Sequence, residues 1–356
     1  MMKTPSKYFY VVFVAVLVLL ASYLILKYSF FAPALVGRTP ISVTADQGSE
    51  LSILNEEKSK WLEVIKNKGA AAAYQQFKNE YAKYDYSTQH NTIHMLGELL
   101  YEVEGVKGIT ICDDSFAFGC YHGFFPRALS ENGLGAMREL DQACVDKYGD
   151  KINACSHGLG HGILEYLGHN SLNKALEICT NSIRLQDVRT CLSGVFMEYN
   201  FPTIIDDGKA EKTVRHFDPE NPYFPCDTTI PEEFRKLCYY TLGEFWLSAS
   251  GLDYAKIGKF CSDLSDTGHK AECFKGVGNN IAPTSNYDVE SVREKCEKIQ
   301  DEDGEFYCKA EASRSFLGLP QHRLNGLKVC EGIVQSLEEK HNYSCLKQSD
   351  IDFLER

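Results

Sequence analysis

The chain of 356 residues lacks the short motifs that announce a common chemistry. No G-x-G-x-x-G or P-loop glycine run opens a helix after a strand, and there is no G-x-S-x-G elbow and no H-E-x-x-H. Nucleotide cradling, serine-hydrolase chemistry and the zincin reaction therefore have no signature here. Basic runs are also missing and the formal net charge is −12. That balance argues against nucleic acid, or an anionic membrane surface, as a partner. No alternating apolar and polar stretch of strand length recurs, which excludes a sheet and leaves an all-α fold. Methionine (5) and tryptophan (2) are scarce, while tyrosine and phenylalanine number 20 each, a mix suited to rigid aromatic packing between helices.

Only one long uncharged run exists, Tyr8 to Leu26, preceded by Lys3 and Lys7. At ~1.5 Å rise per residue it spans about 28 Å, enough for one bilayer crossing. Ala32-Pro33-Ala34 is faintly like a cleavage site, but the apolar run exceeds the length usual for a signal peptide. The expectation is an uncleaved signal-anchor: residues 1–27 a cytoplasmic stub and transmembrane helix, 28–50 a tether with Pro33, Gly37, Pro40 and Gly48, and 51–356 a domain outside the cytoplasm.

Cysteine is what the exported part has in abundance. The fourteen fall into consecutive couples: Cys112 with Cys120, Cys144 with Cys155, Cys179 with Cys191, Cys226 with Cys238, Cys261 with Cys273, Cys296 with Cys308, and Cys330 with Cys345. The second members advance by 35, 36, 47, 35, 35 and 37 residues. A period near 35 with one insertion of about twelve residues is the signature of stacked helical hairpins. The insertion falls at 201–226, where Pro202, Pro219, Pro222 and Pro225 forbid a long helix. In a typical unit, Asp253 to Leu264 reads as helix A, Ser265 to Gly268 as the turn and His269 to Ala282 as helix B. The same parse places the next turn at Asp301 to Gly304. A bridge within the couple would then clamp the closed end of the hairpin. Pairing between units, such as Cys238 with Cys261, has equally regular spacing and stays open. Such evenly placed couples suit an oxidising compartment and support export.

Lys174-Ala-Leu-x-x-Cys179 followed by Cys191-x-x-Gly194, together with Leu96-Gly97, Tyr101 and Gly105-Val-Lys-Gly108, resembles the cysteine-rich Sel-one-like (tetratricopeptide-like) repeat proteins. The resemblance implies a curved, right-handed α-solenoid of disulfide-stapled hairpins and a protein-binding module outside the cytoplasm. It implies no histidine ligands.

The histidines form a second pattern. His157, His161 and Glu165 share the H-x3-H-x3-E spacing of His90, His94 and Glu98, which on a helix makes a row of ligand-type side chains. Counted from the second cysteine of each unit, the positions two and six residues on hold His90 and His94 (from Thr88 in a unit without cysteines), His122 and Pro126, then His157 and His161. Later units carry Ser193 and Met197, Tyr240 and Glu244, Lys275 and Asn279, and Ala310 and Arg314 there. Five of the ten histidines thus share one register in three successive units. Neutral imidazoles at i,i+4 can hold one transition ion, with a carboxylate as third ligand or as a partner of the imidazole. The expected ligands are His90, His94, His122, His157 and His161, with Glu98 and Glu165 assisting. Zinc, copper or iron fit this donor set. Haem between two histidines is compatible with it, although no C-x-x-C-H attachment motif exists. On a flat array the two rows would lie ~20 Å apart, so a shared site requires strong curvature. Gly158, Gly160 and Gly162 cost helix propensity. Gly158 matches the packing glycines Gly123, Gly194 and Gly276, whereas Gly160 and Gly162 suggest the approach of a ligand.

Two functions follow from these patterns: a membrane-anchored metal-binding protein, or a metal-free scaffold for a protein partner with structural histidines. No reaction is named by the sequence.

Overall fold

The computed structural model describes residues 47–84, 86–149, 155–184, 187–201, 215–251 and 253–354. The expected transmembrane run and the tether up to residue 46 lie outside the described residues. Among those described, no helix is long and apolar enough to cross a membrane.

All regular structure among the described residues is helical, and residues 56–356 form one compact unit. The first helix, α1 (Gln47–Lys68), starts four residues ahead of the expected Leu51. It is followed by α2 (Ala70–Tyr81), α3 (Tyr86–Glu104), α4 (Gly119–Asn132), α5 (Met137–Tyr148), α6 (Cys155–Leu167), α7 (Leu172–Ser182) and α8 (Val188–Asn200). After the insertion come α9 (Glu232–Ala249), α10 (Tyr254–Ser262), α11 (Thr267–Thr284), α12 (Val289–Glu297), α13 (Glu302–Ser315), α14 (Arg323–Val329), α15 (Gln335–His341) and α16 (Gln348–Leu354).

Local chemistry sets these boundaries. Gly69, Gly133, Gly149 and Gly168 follow helix ends with positive φ, the conformation that closes a helix without a Cβ penalty. Asp253, Asp266, Asp288 and Asp301 cap α10, α11, α12 and α13, each carboxylate accepting a backbone N–H three residues on. This capping corrects the turn expected at Asp301 to Gly304. Asp301 is the cap and Glu302 already opens the helix, so the turn is shorter than the sequence suggested.

Every cysteine couple is a disulfide, and the pairing between units does not occur. The bridges join Cys112 to Cys120, Cys144 to Cys155, Cys179 to Cys191 and Cys226 to Cys238. Beyond the insertion they join Cys261 to Cys273, Cys296 to Cys308 and Cys330 to Cys345. The Cα–Cα distances run from 5.6 Å to 6.3 Å, within the normal span of such a bridge. Each closes a loop with a sequence separation of 8 to 15, for which chain entropy predicts about 3 kcal/mol per bridge at the upper end of that range. The bridges are buried with the aromatics. Cys120, Cys155, Cys191, Cys273 and Cys308 are inaccessible, as are Trp61, Tyr121, Phe124 and Trp246. The last bridge is the longest loop and stands slightly apart: Cys345 packs with Phe306 and Ala310 in a small separate cluster under the C-terminal hairpin.

The second helices of successive hairpins pack on one another in the order α3, α4, α6, α8, α9, α11, α13. In addition α11 touches α3. Residues 215–231, which take in the described end of the insertion, contain no helix and lie against this stack. There Trp246 Nε1 donates to the Pro222 carbonyl (2.9 Å), Tyr223 Oη to the Phe260 carbonyl (3.1 Å), and the Arg215 guanidinium lies 3.9 Å from the Phe245 ring centroid.

Candidate metal centre

Three consecutive second helices carry the histidines: α3 presents His90 and His94, α4 His122, and α6 His157 and His161. Because α3 packs on α4 and α4 on α6, His122 stands between the two rows. The helices come close because glycine lets them. A Cβ on Gly123 would stand 1.8 Å from the His94 carbonyl oxygen. On α6, Gly158 and Gly162 face Tyr121 and Phe125 of α4, while Gly160 faces α8, where a Cβ would lie 2.0 Å from the Cys191 carbonyl. The ligand approach expected at Gly160 and Gly162 is thus corrected. Backbone of the neighbouring helices occupies both positions, and the three glycines wedge α6 between α4 and α8.

This close approach gathers the five imidazoles. The His122 ring centroid lies 4.9 Å from His90, 5.2 Å from His94, 5.1 Å from His157 and 4.3 Å from His161. One nitrogen from each of His90, His94 and His122 falls within 4.8 Å of the others, and the same holds for His122, His157 and His161. His157 Nε2 and His161 Nε2 are 3.2 Å apart. Two nitrogens bound at ~2.0–2.1 Å to a tetrahedral ion would be about 3.4 Å apart, so this pair needs little movement to share one.

The opposite sides of the rings are anchored. His161 Nδ1 meets Glu198 Oε2 of α8 at 2.9 Å, with both side chains buried. His90 Nδ1 lies 2.8 Å from the Phe116 carbonyl oxygen, and the His157 ring bonds to the backbone of Thr190. An imidazole that donates one N–H to a carboxylate or carbonyl is fixed in orientation and presents the other nitrogen as a lone pair. On the inward side, His94 Nε2 and His122 Nε2 are buried with no hydrogen-bond partner. A buried polar atom without a partner is costly, and an ion would satisfy both.

Burial keeps the cluster neutral. It lowers His90, and it pushes His94, His122 and His157 well below the usual imidazole range, with the neighbouring histidines adding repulsion to the last three. His161 is pushed down to about 3 by burial and by His90. At neutral pH all five rings therefore keep lone pairs for a metal.

The expected carboxylates do not join them. Glu98 accepts an ion pair from Lys58 of α1 at 3.1 Å, shared with Glu102, and belongs to neither group of ligand atoms. Glu165 likewise lies outside both groups. The reason is rotation: eight residues at ~100° each leave the carboxylate ~80° round the helix from the first histidine, facing a different neighbour. Glu198 takes the place foreseen for those residues. It sits seven residues after Cys191, one beyond the position counted in each repeat. The signal that could have found it is a lone acidic residue in the apolar stretch Leu192 to Tyr199, on the helix next to His161.

A haem would need its flat macrocycle between two opposed imidazoles. These five rings touch one another at 4.3 to 5.2 Å and fill that space, so a bare ion is the better fit.

No family model matches the chain, and no curated protein or solved structure is significantly similar to it.

Proposed function

We propose that this protein binds transition-metal ions through His90, His94, His122, His157 and His161. The observation that carries the proposal is the gathering of five neutral imidazoles, His122 and His161 buried and the other three half-buried, into two groups of ligand atoms, each within 4.8 Å. Glu198, the Phe116 carbonyl and the Thr190 backbone orient three of the rings, and a nitrogen-rich set of this kind suits zinc, copper or iron. Three imidazoles around an ion leave a fourth position for water or a small ligand.

The proposal includes the setting. The helical stack is a right-handed α-solenoid of the Sel-one-like kind, held outside the cytoplasm by an N-terminal membrane anchor. Its support is the succession of hairpin contacts, the return of α11 to α3, and seven disulfides of a type that persists in oxidising compartments.

Elemental analysis tests the metal reading. The chain, stripped with chelator, exposed in turn to zinc, copper and iron at neutral pH and dialysed, should retain at least one ion per molecule. Retention of none would leave a metal-free scaffold for a protein partner, with the histidines as packing residues.

A further inference from the structure

We propose that His122 bridges two metal ions as an imidazolate, so that the five histidines form one dinuclear centre. This rests on the metal-binding reading above and goes further, in stoichiometry and in the coupling between the ions.

Three observations carry it. First, the ligand atoms do not form one group of five. They form two groups of three whose single common member is His122. An ion bound at ~2.1 Å spans at most about 4.2 Å between opposite ligands, and the five ligand atoms do not fall into one group even within 4.8 Å, so the arrangement points to two ions. Second, His122 touches all four other rings, at 4.3 to 5.2 Å between centroids, whereas His90 and His94 pair on one side and His157 and His161 on the other. Third, the anchors are distributed to match. His90, His157 and His161 each have a protein partner that occupies part of the ring, whereas the Nε2 atoms of His94 and His122 are both buried and unpartnered, and of these two only His122 lies in both groups. A bridging imidazole is the one ligand that must keep both nitrogens uncommitted.

The chemistry balances without a redox step. The first ion binds one nitrogen of neutral His122. The second displaces the remaining N–H proton to solvent and takes the other nitrogen, so one ion is gained and one proton lost. The ring's width then sets the ions about 6 Å apart.

The test uses the full chain and copper(II) alone. Metal-free protein should take up two equivalents, and the pair should lose most of its ordinary cupric electron-paramagnetic-resonance signal at low temperature through coupling across the bridge. Replacing His94 with Ala should leave one tightly held ion with full signal intensity, and His122→Gln should abolish the coupling. Circular dichroism of both variants establishes that the helices remain. Two equivalents with undiminished signal in the wild type, or uptake that stops at one, would reject the bridge and leave the metal-binding reading standing. No uptake at all would reject both.

Discussion

The inner positions of the first three units and those of the later units occupy equivalent helices of the repeat, yet they are chemically opposite. In α9, α11 and α13 the polar groups pair with one another. Tyr240 Oη donates to Glu311 Oε1 at 2.9 Å, and Tyr343 Oη donates to the same carboxylate. Lys275 reaches Glu272 at 2.9 Å and lies 4.2 Å from the Tyr343 ring centroid, and Ser315 Oγ donates to Asn279 Oδ1 at 2.9 Å. Donor meets acceptor within the protein. In α3, α4 and α6 nitrogens face nitrogens instead, and His94 Nε2 and His122 Nε2 are buried without a partner. A satisfied network holds a fold together, whereas an unsatisfied group of like atoms is a demand for something the chain does not supply.

The largest difference between the two faces should appear on deleting ligands. His157→Ala with His161→Ala should remove metal from the second group while the helical content persists, because stability in such an array is spread over neighbouring contacts. Tyr240→Phe on the other face should leave metal content unchanged, and elemental analysis with circular dichroism reads both. Next comes Glu198→Gln, which keeps the shape but weakens the hold on His161. Metal affinity should fall about 10- to 100-fold, measured by competition with a chelator of known strength.

Acid and base should then separate the faces by sign. The histidines are depressed below their unfolded range, so under acid the unfolded chain takes up protons that the folded one refuses. Stability of the metal-free protein is full above the ordinary imidazole pKa of ~6.5 and falls as pH drops below it, by about 1.4 kcal/mol per pH unit for each histidine fully charged on unfolding. Glu244 of α9 runs the other way. Burial raises it to about 7 against a hydrogen bond from Asn280, so the folded state holds a proton that the unfolded state has lost. Its effect is to destabilise as pH rises from about 4.5 to 7. Glu244→Gln should consequently raise the melting temperature at pH 8 by a few degrees, make no difference at pH 4 and leave metal binding alone. Thermal melts of the metal-free chain across pH 4 to 8 check both slopes, and a wild-type melting temperature that rose on acidification would contradict the neutral histidine cluster.

Much of this comparison was legible in the sequence because it is periodic. A 35-residue repeat exposes equivalent positions, so His90, His122 and His157 could be aligned before their contacts were known. The pairing of Cys261 with Cys273, and of Cys296 with Cys308, is the within-couple reading of the same regularity, which left pairing between units equally open until the structure showed the bridges. What escaped was whatever depended on rotation or on a neighbouring helix. Glu98 stands in sequence where a third ligand belongs, but a further ~80° of turn delivers it to Lys58. Glu198 supplies the missing carboxylate from a helix 37 residues away, a distance that no local pattern encodes. Gly160 looked like an opening for a ligand because only the packed structure reveals the Cys191 carbonyl against it.

The order of the disulfides has a consequence for how the chain comes to be folded. Every cysteine bonds to the next one along, first to second and third to fourth, without interleaving. Were the chain to emerge amino end first into an oxidising space, each new thiol would find all earlier ones already consumed, apart from its own mate. Of the enormous number of ways to join fourteen thiols, such an order of emergence would favour this one. A repeat copied whole by gene duplication would bring its staple with it and leave no odd thiol behind.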